Sequence, residues 1–193
     1  MKDTWDKTIT VDKKPIPKKR IREYYRRLWK KDPAFRNSLK KNGLFVRAIY
    51  NGKPTIVRKG VKVKDWDDVE GLIKDHAVEF HLPAKKFNCR SYVDIDMPPR
   101  YAKQRSKIAH SIVDKLKRRN INVKTVVNSP SGLHILSNTD KGKMKAALKD
   151  IATEDRRLAV AKSSRTKITL DVNEPNGAVP GSLSYKGKPY RKW

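Results

Sequence analysis

Cysteine occurs once in this 193-residue sequence, at Cys89. A single thiol forms no internal disulfide and supplies no multi-cysteine site, so no structural zinc is expected and Cys89 reads as a small buried or half-buried side chain. Long apolar runs are missing too. None approaches the ~20 residues that span a bilayer, and the opening MKDTWDKT has no signal-peptide core, which sets the expectation of a cytoplasmic protein without membrane association. Acid is scarce: 20 Asp and Glu stand against 47 Lys and Arg, a formal net charge of +27. Such a surplus exceeds what solubility requires and repels itself in a compact state, which implies a polyanionic partner. Nucleic acid fits best, because spaced phosphates favour spaced cations through counterion release. A membrane surface fits less well, since the charge is spread along the chain with no strongly apolar amphipathic segment beside it.

What is present has a readable order. Residues 1–17 are polar and end in two closely spaced prolines, the pattern of an extended arm. KKRIREYYRRLWKKDP sets Ile21, Tyr24, Tyr25, Leu28 and Trp29 at helical spacing and predicts a basic helix ending before Asp32-Pro33. LFVRAIY, NGK and TIVRKGVKV predict a hairpin, and a short helix is expected around DWDDVEGLIKDHA. From Phe87 the pattern predicts a strand near 90–96, a helix near 101–119 with an apolar stripe of Ile108, Ala109, Ile112, Val113 and Leu116, two strands in INVKTVV and GLHILS, a helix near 140–154, and a last strand in KITLDV. This βαββαβ order predicts an α+β fold. Its core is a four-stranded, ferredoxin-like sheet of the RNA-recognition-motif type, with helices on one face and the other open to ligand. An N-terminal α/β lobe over 1–87 and this second lobe over 88–193 together form one compact domain in this reading.

Within the 90–96 strand, alternation puts Asp94 and Asp96 on one face while Val93 and Ile95 point to the core. Two carboxylates that close repel each other and become favourable with a divalent cation between them. Asp-x-Asp alone is more often a solvated turn. Asp171, on the last strand, changes the balance, because in the βαββαβ order that strand flanks the first. Three carboxylates on one sheet face suit Mg²⁺ or Mn²⁺, which prefer oxygen and keep waters for substrate phosphates. In NSPSGLHILS, Ser129, Ser131 and Gly132 allow close backbone approach and, with His134, offer donors to triphosphate oxygens, although a lone strand histidine is more often structural. In VPGSLSYKGKPY, Gly181, Ser182 and Lys186 read as a phosphate-binding turn or as an ordinary turn with a solvated lysine.

Together YVDIDMP, SPSGLH and ITLDVN resemble, in order, the Asp-x-Asp strand, the Ser…Gly-x-His motif and the single-Asp strand of the archaeo-eukaryotic primase superfamily, which includes primase small subunits, primase-polymerases and the polymerase domain of bacterial ligase D. VPGSL followed by Lys186 is similar to that family's Pro-Gly-Ser-Leu-His-x-Lys segment. DKKPIPKKRIREYY and AVEFHLPAKK resemble the opening and the Glu-x-His segment of ligase D polymerase domains. The chain departs from the family at several points. The Ser129–His134 spacing is one short, Pro130 and Ser131 replace glycine or basic residues, Ala178 stands for an arginine and Ser184 for a histidine, and Ile56 and Val57 occupy the place of two phenylalanines.

The resemblance implies a template-dependent primase or polymerase that transfers nucleotides from NTP or dNTP to a 3′-hydroxyl in replication or repair. Two Mg²⁺ or Mn²⁺ ions would be held by Asp94, Asp96 and Asp171, and no zinc. Ser129, Ser131, His134, Ser182 and Lys186 would hold the nucleotide, Lys13 and Lys18 a 5′-phosphate, and Arg47 and Lys59 the template backbone. DNA template and primer are the expected partners, with a ligase, nuclease or primase large subunit encoded separately. A gap-filling polymerase of the ligase D type shares this chemistry. A non-catalytic basic nucleic-acid-binding protein is the alternative of another class, although acids and His134 stand where such sheets usually carry stacking aromatics.

Overall fold

The computed structural model of the protein describes residues 4–11, 14–50, 53–161, 164–173, 176–184 and 188–192. The chain is a mixed α/β fold that divides into two compact units, Met1–Pro83 with Ala178–Tyr190, and Ala84–Gly177 with Arg191–Trp193. The segment 178–190, expected with the second lobe, therefore belongs to the first. Its apolar residues explain this: Val179 and Tyr190 are buried there, and Val179 N–H donates to Phe80 O at 2.9 Å.

In the first unit the expected arm is instead a hairpin, β1 (Thr8–Val11) against β2 (Lys14–Pro17). Its prolines sit on a two-stranded ribbon, where a missing amide donor is tolerated. Helix α1 (Lys18–Lys31) stops at Asp32, whose side chain then caps α2 (Pro33–Leu39) by accepting from Phe35 N–H. Proline at the first position of α2 makes this break local and sharp. Strands β3 (Leu44–Tyr50) and β4 (Lys53–Val61) form the expected hairpin, although the Asn51-Gly52 turn lies outside the described residues. Helix α3 (Trp66–Lys74) is capped by Asp65, and β5 (Ala77–Pro83) pairs with β3.

The second unit is built on β6 (Ser91–Asp96), α4 (Arg105–Arg118), β7 (Val123–Asn128), β8 (Gly132–Ser137), α5 (Lys141–Glu154), β9 (Leu158–Ala159) and β10 (Ile168–Asn173). After β11 (Asn176–Ala178), which edges the first unit's sheet in the order β11-β5-β3-β4, the chain returns as β12 (Arg191–Lys192). The second sheet runs β12-β7-β8-β6-β10-β9. It has six strands where four were expected, because β9 and β12 extend its edges. The two central strands are β6 and β8, with β10 beside β6. One face carries Val93, Ile95, Leu133, Ile135, Leu170 and Val172, which pack with the stripes of α4 and α5 into a single core. At about 1.5–3 kcal/mol for each fully buried aliphatic side chain, this core is what fixes the strand register.

Candidate functional site

With the odd residues of β6 committed to that core, Tyr92, Asp94 and Asp96 face the other way. Antiparallel pairing places Asp94 opposite Asp171 on β10 and opposite His134 on β8, and places Asp96 opposite Thr169 and Gly132. Directly opposed residues bring their Cβ atoms to about 5 Å, so Asp171, Asp94 and His134 form one cross-strand row with Asp96 one pleat away. His134 Nε2 lies 3.4 Å from Asp94 Oδ1, and the Asp94 side chain remains 34 % exposed. The His134 ring meets Tyr92 edge-on, centroids 5.1 Å apart. This face is not fully open: Tyr92, Val127 and Leu136 are buried on it.

The turn ahead of β8 is held from both sides. Ser129 Oγ accepts from Gly132 N–H at 2.9 Å, and Ser129 N–H donates to Gly132 O at 3.0 Å. Ser131 Oγ donates to Asp96 Oδ1 at 2.6 Å, and Met97 N–H donates to Ser131 O at 2.9 Å. Ser129 is buried, so its hydroxyl shapes the turn, whereas Ser131 is tied directly to Asp96 beside the row. Arg105, unmarked by any motif, donates to the Ser129, Pro130 and Gly132 carbonyls, the last at 2.6 Å. Burial pulls the Arg105 guanidinium below its ordinary pKa, and the charge of Asp96 acts in the opposite sense. Among 47 basic residues no sequence signal distinguishes it; only its position at the start of α4 beneath the turn does. Arg105→Lys keeps the charge but loses the planar fork, and is expected to lower stability by about 1–2 kcal/mol, read as a shifted urea midpoint at unchanged slope.

In donor chemistry Asp94, Asp96 and Asp171 fit Mg²⁺ or Mn²⁺: all three offer hard carboxylate oxygens on one face. As a preformed cage they do not fit, because among the described residues no group of three or more His, Cys, Asp and Glu side chains is gathered to hold an ion. The strand register aligns the acids on neighbouring strands.

The remaining expected site residues lie in the first unit. Ser182 is fully buried, its Oγ accepting from Phe80 N–H at 2.8 Å and lying 3.3 Å from the hydroxyl of Tyr25. Tyr25 in turn accepts from Leu183 N–H at 2.8 Å, and burial raises its hydroxyl far above the ordinary tyrosine pKa. The Pro-Gly-Ser-Leu segment is thus bound to α1 through Tyr25 and through Tyr24, which donates to Gly181 O at 2.7 Å. The Ser182 hydroxyl, expected at a phosphate, is engaged inside the first unit. Lys18 is only 1 % exposed and its Nζ donates to Lys74 O at 2.6 Å. Desolvation first, then the charge of Lys7, lowers its pKa. It too is turned inward, away from the expected 5′-phosphate role. Lys18→Met is expected to change stability by no more than about 1 kcal/mol, because an apolar stem of similar length replaces a poorly solvated cation; a thermal melt checks this, and any 5′-phosphate preference in DNA binding should persist. Arg47 donates to the fully buried Glu79 at 2.9 Å, and Glu79 also lies 3.0 Å from His81 Nε2. The Glu-x-His segment and Arg47 therefore form one polar cluster. Lys59 is exposed, while Lys13 and Lys186 and the side chains of Ile56 and Val57 lie outside the described residues.

Cys89 is 6 % exposed and burial raises its thiol pKa, in keeping with a packing role. No described helix is long and apolar enough to cross a membrane.

No family profile matches this sequence, and no curated protein matches it. Its fold, by contrast, has a solved counterpart. Over 97 % of this chain and 83 % of the other, with a TM-score of 0.66 and 13 % sequence identity, the protein is similar in fold to the polymerase domain from Mycobacterium tuberculosis ligase D, determined in complex with DNA.

Proposed function

We propose that this protein is a metal-dependent nucleotidyltransferase of the primase-polymerase kind, acting on a nucleic-acid template with NTP or dNTP. The observation that carries the reading is the row Asp171–Asp94–His134, with Asp96 bonded to Ser131 beside it, on the face of the second unit's sheet away from its helices. A ferredoxin-like sheet of the RNA-recognition-motif type is part of this proposal, supported by β6 and β8 paired at the centre with β10 and β7 on either side. The likeness in fold to a ligase D polymerase domain supports the same class.

Asp94, Asp96 and Asp171 would hold divalent Mg²⁺ or Mn²⁺. When bound, such ions lower the pKa of an attacking hydroxyl and neutralise charge developing on phosphate. The chain's own part is positional. Asp94 and Asp171 fix donors on adjacent strands, Ser131 orients Asp96, and His134, held beside Asp94, offers a donor to a phosphate oxygen. Arg105 keeps the turn that presents Ser131 in place. Surface cations such as Lys59 would attract the template backbone without reading sequence.

Labelled-nucleotide incorporation tests this on a primed and an unprimed template, with ribo- and deoxynucleotides supplied in turn, and with Mg²⁺, Mn²⁺ or chelator present. Extension of the primer that vanishes with chelator is the expected result, and product from the unprimed template would assign priming as well. Extension restricted to short gaps in duplex DNA would favour the gap-filling alternative. Tight DNA binding with no incorporation under any metal would overturn the reading and leave a binding protein.

A further inference from the structure

The face of the second unit opposite the acid row is made by the outer sides of α4 and α5, which contact each other above the core. Those outer sides are cationic. Lys141, Lys145 and Lys149 recur at every fourth residue of α5 and are all exposed, about 6 Å apart along the helix. On α4, Lys107 and Arg118 lie on one outward stripe with Lys117 beside it, all exposed, and the exposed Asp114 stands between them on that stripe. Glu154 is engaged by Lys115 at 3.0 Å and by Arg119, which leaves Asp150, exposed beside Lys149, as the acid on the outer side of α5. A cavity of about 320 Å³ at the start of α4 adds Arg157, Gln104 and Ser111 around Lys107.

We propose that this helical face is a second nucleic-acid surface, one that takes the phosphate backbone of a duplex. The three α5 lysines form one cationic row, with Lys107, Lys117 and Arg118 on the neighbouring helix, an array of spaced cations that suits the spaced phosphates of a duplex backbone. No exposed residue of α4 or α5 is Phe, Tyr or Trp and His110 is the single exposed ring on them, so the face offers little base stacking, the main attraction for a single strand. Large exposed apolar residues are missing as well, so the face has nothing to insert into a lipid interface. Recognition here is by charge alone, independent of sequence. The inference does not rest on the polymerase reading, because the surface would bind whether or not the acids on the other face catalyse.

The test is a salt titration of duplex binding. The protein is titrated into a fluorescent random-sequence duplex, a single strand of the same sequence, and phosphatidylserine vesicles, from about 0.05 to 0.3 M salt. The parent is compared with Lys141→Glu/Lys145→Glu/Lys149→Glu and with Lys30→Glu/Lys62→Glu/Lys64→Glu, a set equal in charge change whose lysines are exposed on the first unit. With about 0.9 ions released per phosphate contact, the α5 variant should flatten the log–log salt slope by about 2–3. Duplex affinity near 0.15 M salt should fall between tenfold and 10²-fold, and single-strand affinity by less. Equal losses in both variants would show that only net charge matters and would overturn the proposal. So would unchanged duplex binding by the α5 variant, or an α5 variant that loses vesicles but keeps duplex. Circular dichroism checks folding, and a Lys→Gln version of the α5 set keeps the test readable should the glutamates disturb the helix. All titrations are run without nucleotide or divalent metal, so failure here is distinguishable from failure of the catalytic proposal.

Discussion

Asp94→Asn is expected to reduce metal-dependent incorporation by about 10³-fold or more, while the melting temperature stays the same or rises. Asp94 is the node of the row, since its two cross-strand neighbours are Asp171 and His134. Asparagine preserves its size, its place in the ladder and a polar oxygen, and removes only the charge. If carboxylates hold the catalytic ions, the loss is several kcal/mol of transition-state stabilisation, and each 1.36 kcal/mol is a factor of ten in rate. Stability moves the other way, because like charges directly opposite on adjacent strands are unfavourable by roughly 0.2–1 kcal/mol. Asp171→Asn should behave alike, and the double variant should lose little more than either single one, as expected for residues acting as a unit. Single-turnover primer extension beside a thermal melt gives both readouts. Activity that survives in both single variants would remove the carboxylate proposal, and activity lost together with the fold would assign the acids a structural role.

The second large effect belongs to Gly132. A Cβ at this position would lie 1.5 Å from the Ile95 carbonyl oxygen and 3.2 Å from Asp96 Cα, both backbone atoms that cannot rotate away. Gly132→Ala must therefore push β8 from β6 at the one rung where Asp96 and the Ser129–Gly132 turn meet. Overpacking of this kind usually destabilises by 1–3 kcal/mol; against immobile backbone about 3 kcal/mol or more is expected. For a chain of this size that is a fall of roughly 6–12 °C in melting temperature. Activity measured well below the melt should also drop, since the Asp96 backbone moves with the strand. A melt within about 2 °C of the parent would mean that β6 and β8 do not approach this closely.

Local pattern carried much of this architecture. The period-2 run around Asp94 and Asp96 and the apolar stripes of α4 and α5 are properties of neighbouring residues, so the helices and central strands of the second unit could be read directly. The same alternation put both acids on one face and, with the βαββαβ order, placed Asp171 beside them. Where reading failed, the cause was long-range. Nothing local tells Lys18 from the basic residues around it, yet one is enclosed and bonded to Lys74 O, 56 positions away. Ser182 looks like any turn serine until Phe80, 102 residues distant, donates to it.

By itself, then, the sequence determined the charge, the periodicities and the succession of elements, because these depend on residue identity and on spacings of two to four. Only the tertiary structure decided which cations are enclosed, that 178–190 returns to the first unit, that Arg105 grips the turn before β8, and that Asp171, Asp94 and His134 share a rung. Those outcomes are set by burial and strand register, which are fixed by contacts between residues far apart in the chain.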